Sequence, residues 1–291
     1  MKKGLTFSVA AVLAIVLLAP GAARANSPEA SDTHAVHYYV SLGDSLAASF
    51  QPKGDLTHGY AEQLYAKLKA SDPTLKLVKL GCGGESTYSF RFGSVSLRQG
   101  IGFSCGPPDF YSHTYPHKTQ LDDAVSFLHA HRHYVSLVTI TLGANDAGRL
   151  APDGTSTSCI IDPALPNCAG FEDQVTSNLA VILGDLRAAA GLEVPIVGMT
   201  YYDVFAPLWF GAPAYAQQIS DRVDFFNGKL AASYTHAGDG VADVAGAFHN
   251  GEFPLSAVLV CRWTWFCSAR DTHAITDGYG VIAEAFADAL P

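Results

Sequence analysis

Val36-His37-Tyr38-Tyr39-Val40-Ser41-Leu42-Gly43-Asp44-Ser45-Leu46 reads as a short strand that runs into a tight turn and carries Ser45 at its tip. The apolar character of residues 36–42 is continuous, as in a strand buried on both faces. Such a strand belongs in a parallel sheet covered by helices, so the rest of the chain is read for strands alternating with helices.

That alternation runs to the end of the chain. Tyr60, Leu64 and Leu68 share one face of a helix over 59–70. Leu75-Lys76-Leu77-Val78-Lys79-Leu80 is a second strand, ending at Gly81-Cys82-Gly83-Gly84-Glu85-Ser86. Residues 121–129 are helical, and Tyr134 to Leu142 is the clearest strand, running into Gly143-Ala144-Asn145-Asp146. Val175, Leu179, Ile182, Leu183 and Leu186 recur at helical spacing in a helix that Gly191 stops. A strand over 194–200, a helix over 214–234, a short strand over 240–244 and a final helix over 278–290 complete the pattern. Residues 90–115, 151–170 and 251–270 read as loops, and the first is long enough to imply a function or a tether at Cys105.

The expected fold is therefore α/β, a flavodoxin-like three-layer α/β/α sandwich around a central parallel sheet of about five strands. Working residues in such sheets sit on loops at the carboxyl ends of strands. Ser45, Gly84 and Asn145 each follow a strand, so one sheet edge is expected to gather all three.

At the N-terminus, Lys2 and Lys3 precede the apolar run Val9 to Ala19, Pro20 breaks it, and Ala23-Arg24-Ala25 has a small-x-small pattern. The run is too short to span a bilayer. Residues 1–25 are expected to be a signal peptide cleaved after Ala25, residues 26–35 a polar leader and residues 36–291 a single domain, giving a secreted protein. Cleavage removes Lys2, Lys3 and Arg24 and no acid, leaving 15 basic residues against 27 acidic ones. That balance argues against nucleic acid and anionic membrane surfaces as partners. A small-molecule substrate and a monomer without a stable membrane span are expected instead.

All six cysteines, Cys82, Cys105, Cys159, Cys168, Cys261 and Cys267, follow the signal segment. An even count behind an export signal favours disulfides, and sequence alone leaves fifteen connectivities open. The cysteines fall into three local pairs along the chain, which predicts Cys82–Cys105, Cys159–Cys168 and Cys261–Cys267. A zinc site would need tighter clusters such as C-x-x-C, and none occurs. His129, His131 and His133 straddle a helix end and a strand start, so they need not face one way. With no H-E-x-x-H and no phosphate loop, neither metal nor cofactor is expected.

A serine hydroxyl attacks only when a base removes its proton, and acyl transfer creates an oxyanion that needs preoriented donors. Ser45, at a strand-to-helix turn, suits the first need and its own N–H the second; Gly-Asp-Ser is equally a common turn, with Ser45 capping a helix. Gly84 lets a backbone N–H approach a ligand closely, or simply makes a turn beside a disulfide. Asn145 can donate its amide or cap a helix, and Asp146 beside it reads as a turn holder. His273, in Asp271-Thr272-His273, is a natural general base if something orients it.

Taken in this order, Gly43-Asp44-Ser45-Leu46, the Gly84 turn, Gly143-Ala144-Asn145-Asp146 and Asp271-Thr272-His273, with Gly278-Tyr279-Gly280 opening the last helix, resemble the SGNH, or GDSL, hydrolase superfamily. The resemblance is greatest to its secreted, disulfide-containing bacterial esterase/lipase branch. It implies Ser45 as nucleophile, His273 as general base, and an oxyanion hole made of the N–H groups of Ser45 and Gly84 and the amide of Asn145. The last block departs from the family's Asp-x-x-His-Pro: Arg270 stands three before His273, and Ala274 replaces the proline. Either Asp271 or a backbone carbonyl is left to orient the imidazole.

The implied activity is a secreted serine ester hydrolase that cleaves lipid or short-chain acyl esters through an acyl-enzyme. The alternatives are a carbohydrate O-acetyl esterase and a non-catalytic extracellular carbohydrate- or lipid-binding domain of the same fold. No G-x-S-x-G is present, so the α/β-hydrolase nucleophile elbow is absent. Phe103, Phe110, Tyr111, Tyr115, Trp209, Phe210, Trp263, Trp265 and Phe266 either line an acyl or sugar pocket or pin the long loops.

Overall fold

The computed structural model describes residues 1, 36–52, 54–93, 105, 115–150 and 156–291. The expected signal segment and leader, and Phe103, Phe110 and Tyr111, lie outside the described residues. Five strands, β1 (Tyr38–Gly43), β2 (Lys76–Lys79), β3 (Val135–Thr141), β6 (Ile196–Met199) and β7 (Gly240–Ala242), form a parallel sheet in the order β2-β1-β3-β6-β7. A separate antiparallel hairpin, β4 (Gly148–Leu150) and β5 (Ser156–Ser158), follows Asn145.

Successive residues of a strand face opposite sides. Tyr39, Val40, Ser41 and Leu42 of β1 are all buried, as are Leu137, Val138, Thr139 and Ile140 of β3, so both faces of the sheet are covered. The cover is helical: α1 (Tyr60–Ser71) packs on α9 (Thr276–Asp288), where the rings of Tyr60 and Phe286 stack at 4.7 Å. Helices α3 (Gln120–Ala130), α4 (Phe171–Ala190) and α5 (Pro213–His236) pack in series, with α2 (Thr87–Phe92) against α3 and α4. Val175, Leu179, Ile182, Leu183 and Leu186 are the buried stripe of α4. At Gly198 in β6, a Cβ would lie 2.1 Å from the ring of Tyr234 on α5, so this packing leaves room for hydrogen only.

Two expectations change. Residues 251–270 are not a loop throughout: α7 (Leu255–Trp263) and α8 (Phe266–Ala269) occupy most of the segment, after the short α6 (Val244–Ala247). The buried residues of α7, Ser256, Ala257 and Val260, fall on one side of a short helix that gains its order from packing. Ser45 also does not open a helix. Residues 44–49 form overlapping turns, with Ala48 N–H donating to Asp44 O and Phe50 N–H to Ser45 O, and α1 starts only at Tyr60.

The structure joins Cys82 to Cys105, Cys159 to Cys168 and Cys261 to Cys267. His131 caps α3, with Nδ1 2.9 Å from Phe127 O and its ring stacked on Phe127, while His129 and His133 are exposed. No helix among the described residues is long and apolar enough to cross a membrane.

The strand order reverses direction after β2, so the crevice between the carboxyl ends of β1 and β3 is the place where this topology leaves room for a ligand. Replacing Gly198 with Ala forces a methyl into the Tyr234 ring and is expected to cost about 1–3 kcal/mol by overpacking, read as a lowered midpoint in urea unfolding at unchanged slope.

Candidate active site

The turn after β1 is built on contact with β3. Gly43 has φ +120°, and a Cβ there would lie 2.0 Å from the Thr141 carbonyl oxygen, so only glycine fits. Asp44 N–H donates to that carbonyl at 2.9 Å. The Asp44 carboxylate is buried under the turn, where it accepts from Leu46 N–H at 2.9 Å, Thr141 Oγ1 at 2.8 Å and the Tyr201 hydroxyl at 2.8 Å. Burial raises its pKa and the three donors work against that rise. Asp44 thus shapes the backbone from which half-buried Ser45 projects.

Ser45 Oγ lies 2.8 Å from His273 Nε2, and His273 Nδ1 lies 2.6 Å from Asp271 Oδ1. The same Asp271 oxygen accepts the His273 backbone N–H at 2.9 Å. Partial burial opposes ionisation of Asp271, but the hydrogen bonds from His273 and the attraction of its ring outweigh it and hold the carboxyl below its ordinary range. An ionised carboxylate only accepts, so Nδ1 carries the proton and Nε2 is left to accept from the Ser45 hydroxyl. Of the two orienting groups the sequence left open, the Asp271 carboxylate is the one that reaches the imidazole. The Phe50 ring covers the imidazole with a centroid distance of 4.4 Å.

The loop carrying Asp271 and His273 is fastened from three sides. Trp265 N–H donates to His273 O at 2.9 Å, Ile275 N–H to Trp263 O at 2.9 Å and the Tyr202 hydroxyl to Thr272 O at 2.7 Å. The Cys261–Cys267 bridge closes the α7–α8 segment from which Trp263 and Trp265 come. Trp263 packs edge-on against Phe248, Trp209 stacks on Phe253 and Phe266 meets Phe205, so these aromatics are absorbed in packing, whereas Phe210 is exposed.

The oxyanion-hole candidates stand on neighbouring strand ends. Among the described residues, neither the Ser45 N–H nor the Gly84 N–H donates to a protein acceptor. Asn145, in the short turn Ala144–Ala147 after β3, directs Nδ2 to Glu85 O at 3.1 Å, which sets the amide beside the Gly84 turn. Asp146 is buried and clamps the same segment, accepting Thr87 N–H at 2.8 Å and Thr87 Oγ1 at 2.5 Å. Cys82 N–H donates to Gly43 O at 3.0 Å, so the nucleophile turn and the Gly84 turn are bonded directly.

Three kinds of buried group around the candidate site escape sequence reasoning: the carboxylates Asp44 and Glu85, the amide of Gln120 and the hydroxyls of Tyr201 and Tyr202. Each is a common residue type, and the partners that tie it to the site, such as Tyr201 for Asp44 and Gln120 for Glu85, lie far away along the chain, where spacing does not mark them. Glu85 accepts from Ser89 Oγ at 2.5 Å and from Gln120 Nε2 at 2.9 Å. Desolvation, offset by those bonds and reinforced by the charges of Asp146 and Asp44, pushes Glu85 up to about 7. Desolvation against the Thr87 bonds pushes Asp146 up to about 7 as well.

The model of the GDSL-like lipase/acylhydrolase family matches residues 41–261, a span that holds Ser45, Gly84 and Asn145 and stops short of His273. No curated protein matches the chain. Among solved structures, it is similar to phospholipase A1 from Streptomyces albidoflavus at 17% identity, covering 88% of this chain and 100% of that one with a TM-score of 0.51. It is similar to an extracellular lipase from Streptomyces rimosus at 15% identity, with 88% and 100% covered and a TM-score of 0.51. An acetylxylan esterase from Geobacillus stearothermophilus matches at 14% identity, with 88% and 95% covered and a TM-score of 0.50. At these identities the likeness is one of fold.

The raised carboxyls make stability depend on pH. In the folded chain Glu85 and Asp146 hold their protons to about pH 7, whereas an unfolded carboxyl releases its proton near its ordinary value. Their contribution is therefore full below the ordinary carboxyl range and is lost as pH rises towards about 7. Glu85→Gln and Asp146→Asn cannot ionise, so their stability relative to wild type is expected to rise between about pH 5 and about pH 7. Urea unfolding across that range checks it; parallel curves for variant and wild type would refute the assignment.

Proposed function

The chain belongs to the GDSL-like lipase/acylhydrolase family and is a carboxylic-ester hydrolase, and from that premise we propose that Ser45 is its nucleophile, His273 its general base and Asp271 the acid that orients the base. The observation that carries this reading is the unbroken Ser45–His273–Asp271 line of contacts at 2.8 Å and 2.6 Å. Ser45 Oγ attacks the ester carbonyl as its proton passes to His273 Nε2. The N–H groups of Ser45 and Gly84 and the amide of Asn145 receive the developing oxyanion. The imidazolium, steadied by Asp271, gives the proton to the departing alkoxide and leaves an acyl-enzyme. Water then enters by the same route: His273 deprotonates it, the acyl group leaves as the acid, and the proton returns to Ser45.

The substrates are lipid or short-chain acyl esters. In this reading residues 36–291 are one catalytic domain that carries the nucleophile, base and oxyanion donors, and the protein works as a monomer. Residues 1–25 serve as a signal peptide cleaved after Ala25, residues 26–35 as a leader, and the protein is secreted; three disulfides and no free cysteine among the described residues support an oxidising destination. A purely binding domain has no need of a hydroxyl, an imidazole and a carboxylate held in line.

The test is hydrolysis of p-nitrophenyl acetate, longer acyl esters and acetylated xylooligosaccharides by the oxidised protein. Ser45→Ala and His273→Ala are expected to lower kcat by about 10⁴-fold or more and Asp271→Asn by about 10²–10⁴-fold. A wild-type rate in Ser45→Ala would overturn the nucleophile. Asn145→Ala, which removes one oxyanion donor, is expected to lower kcat by about 10²–10³-fold with KM little changed. An unchanged kcat would remove Asn145 from the hole.

A further inference from the structure

Gln120 is the first residue of α3, a position where a polar side chain ordinarily reaches solvent, yet it is fully buried. Its Oε1 accepts Gly43 N–H at 2.6 Å, and its Nε2 donates to Gly43 O at 3.0 Å. One side-chain amide therefore pairs with both backbone groups of the residue that leads into Asp44-Ser45. The same Nε2 reaches Glu85 Oε2 at 2.9 Å and the Tyr115 hydroxyl at 2.9 Å. Glu85 follows Gly84 directly, and its carbonyl accepts Asn145 Nδ2 at 3.1 Å. An unbroken path thus runs from Gly43 through Gln120 and Glu85 to Asn145, touching the segment that bears each of the three oxyanion donors.

We propose that Gln120 is a positioning residue of the oxyanion hole, holding the Ser45 turn and the Gly84 turn in register through its buried amide; this rests on the esterase reading above. Donors preset for a developing charge lose their effect when displaced by fractions of an ångström, and misplacement by about 1 Å costs about 10²-fold. Gln120 touches no reacting atom. Its effect passes through Gly43 to Ser45, and through Glu85 to Gly84 and Asn145. Because Oε1 is committed to Gly43 N–H, the amide cannot flip without losing its other bonds. Burial of Glu85 beside the charges of Asp44 and Asp146 leaves Gln120 and Ser89 as donors that favour its acceptor form.

Two variants of similar shape make the test. Gln120→Glu keeps an acceptor and replaces the two amide N–H donors by at most one carboxyl O–H, and Gln120→Met loses both acceptor and donor. With p-nitrophenyl acetate, kcat is expected to fall about 10–100-fold while KM stays within about twofold. Binding of an alkylboronic acid, whose tetrahedral adduct places an oxygen in the hole, is expected to weaken by the same factor as kcat. A merely structural role lowers the unfolding midpoint but leaves kcat and boronic acid affinity intact in the folded fraction. Folded variants with kcat within about twofold of wild type, or with the loss confined to KM, overturn the proposal.

Should neither Gln120 variant fold, the Glu85 pair decides. Glu85→Gln, which can still accept from Gln120, is expected to keep kcat within about threefold, and Glu85→Ala to lose it as the Gln120 variants do. A Glu85→Ala enzyme with full kcat overturns the proposal. Failure of the esterase reading looks different: wild type itself then releases no product and Ser45→Ala matches it.

Discussion

The site rests on a close approach of two backbones, where Gly43 at the end of β1 meets Thr141 at the end of β3. No side chain fits between them, and Asp44 N–H closes the gap by donating to the Thr141 carbonyl. The contact sits where the strand order changes direction, so the crevice it borders is a product of topology before any catalytic residue is considered. From it Ser45 emerges on one side and, four residues beyond Thr141, Asn145 on the other. The buried Asp44 carboxylate, which Thr141 and Tyr201 also hold, keeps the turn from relaxing.

Beneath this edge lies an unusual concentration of buried acid. Asp44, Glu85 and Asp146 are all removed from solvent, and the donors bonded to their carboxyl oxygens are neutral hydroxyls, an amide and backbone N–H groups, while the buried Arg149 guanidinium adds a favourable charge beside Asp146 alone. Burying a carboxyl without a matching cation is costly unless hydrogen bonds replace its hydration. Such bonds are directional, so they order the backbone that supplies or surrounds them. That is why the proposed oxyanion donors can be backbone groups and one amide on turns: polar contacts under the turns hold them.

Much of the fold was legible because the parallel strands are buried on both faces and so stand out as apolar runs. The runs around Val40, Val138 and Val197 lie in β1, β3 and β6; Ser45 and Asn145 follow from where β1 and β3 stop, and Gly84 from the glycine-rich turn after the partly exposed β2. Gly-Asp-Ser suits a helix cap, so the sequence points to a helix start at Ser45, whereas the Asp44 side chain accepts Leu46 N–H inside a turn. Helix α7 is hidden because its nine residues, with Val258, Leu259 and Val260 running together, carry too little periodicity, and packing decides their conformation. The link between Gln120 and Gly43 spans 77 residues, a distance over which sequence spacing holds no information. The reach of Asp271 to His273 was open for another reason: it depends on a carboxylate that caps its own loop by bonding the His273 N–H.

The base and the residue it faces are separated by 228 positions, and His273 lies on a loop secured by Trp263, Trp265 and Tyr202. Synthesis therefore finishes the nucleophile turn first and delivers the imidazole 228 positions later, just before α9. A chain interrupted between Asn145 and that loop carries Ser45, Gly84 and Asn145 with no imidazole to take up the hydroxyl proton. Until His273 arrives the serine is chemically an ordinary alcohol, and the docking of that loop is what turns it into a reagent.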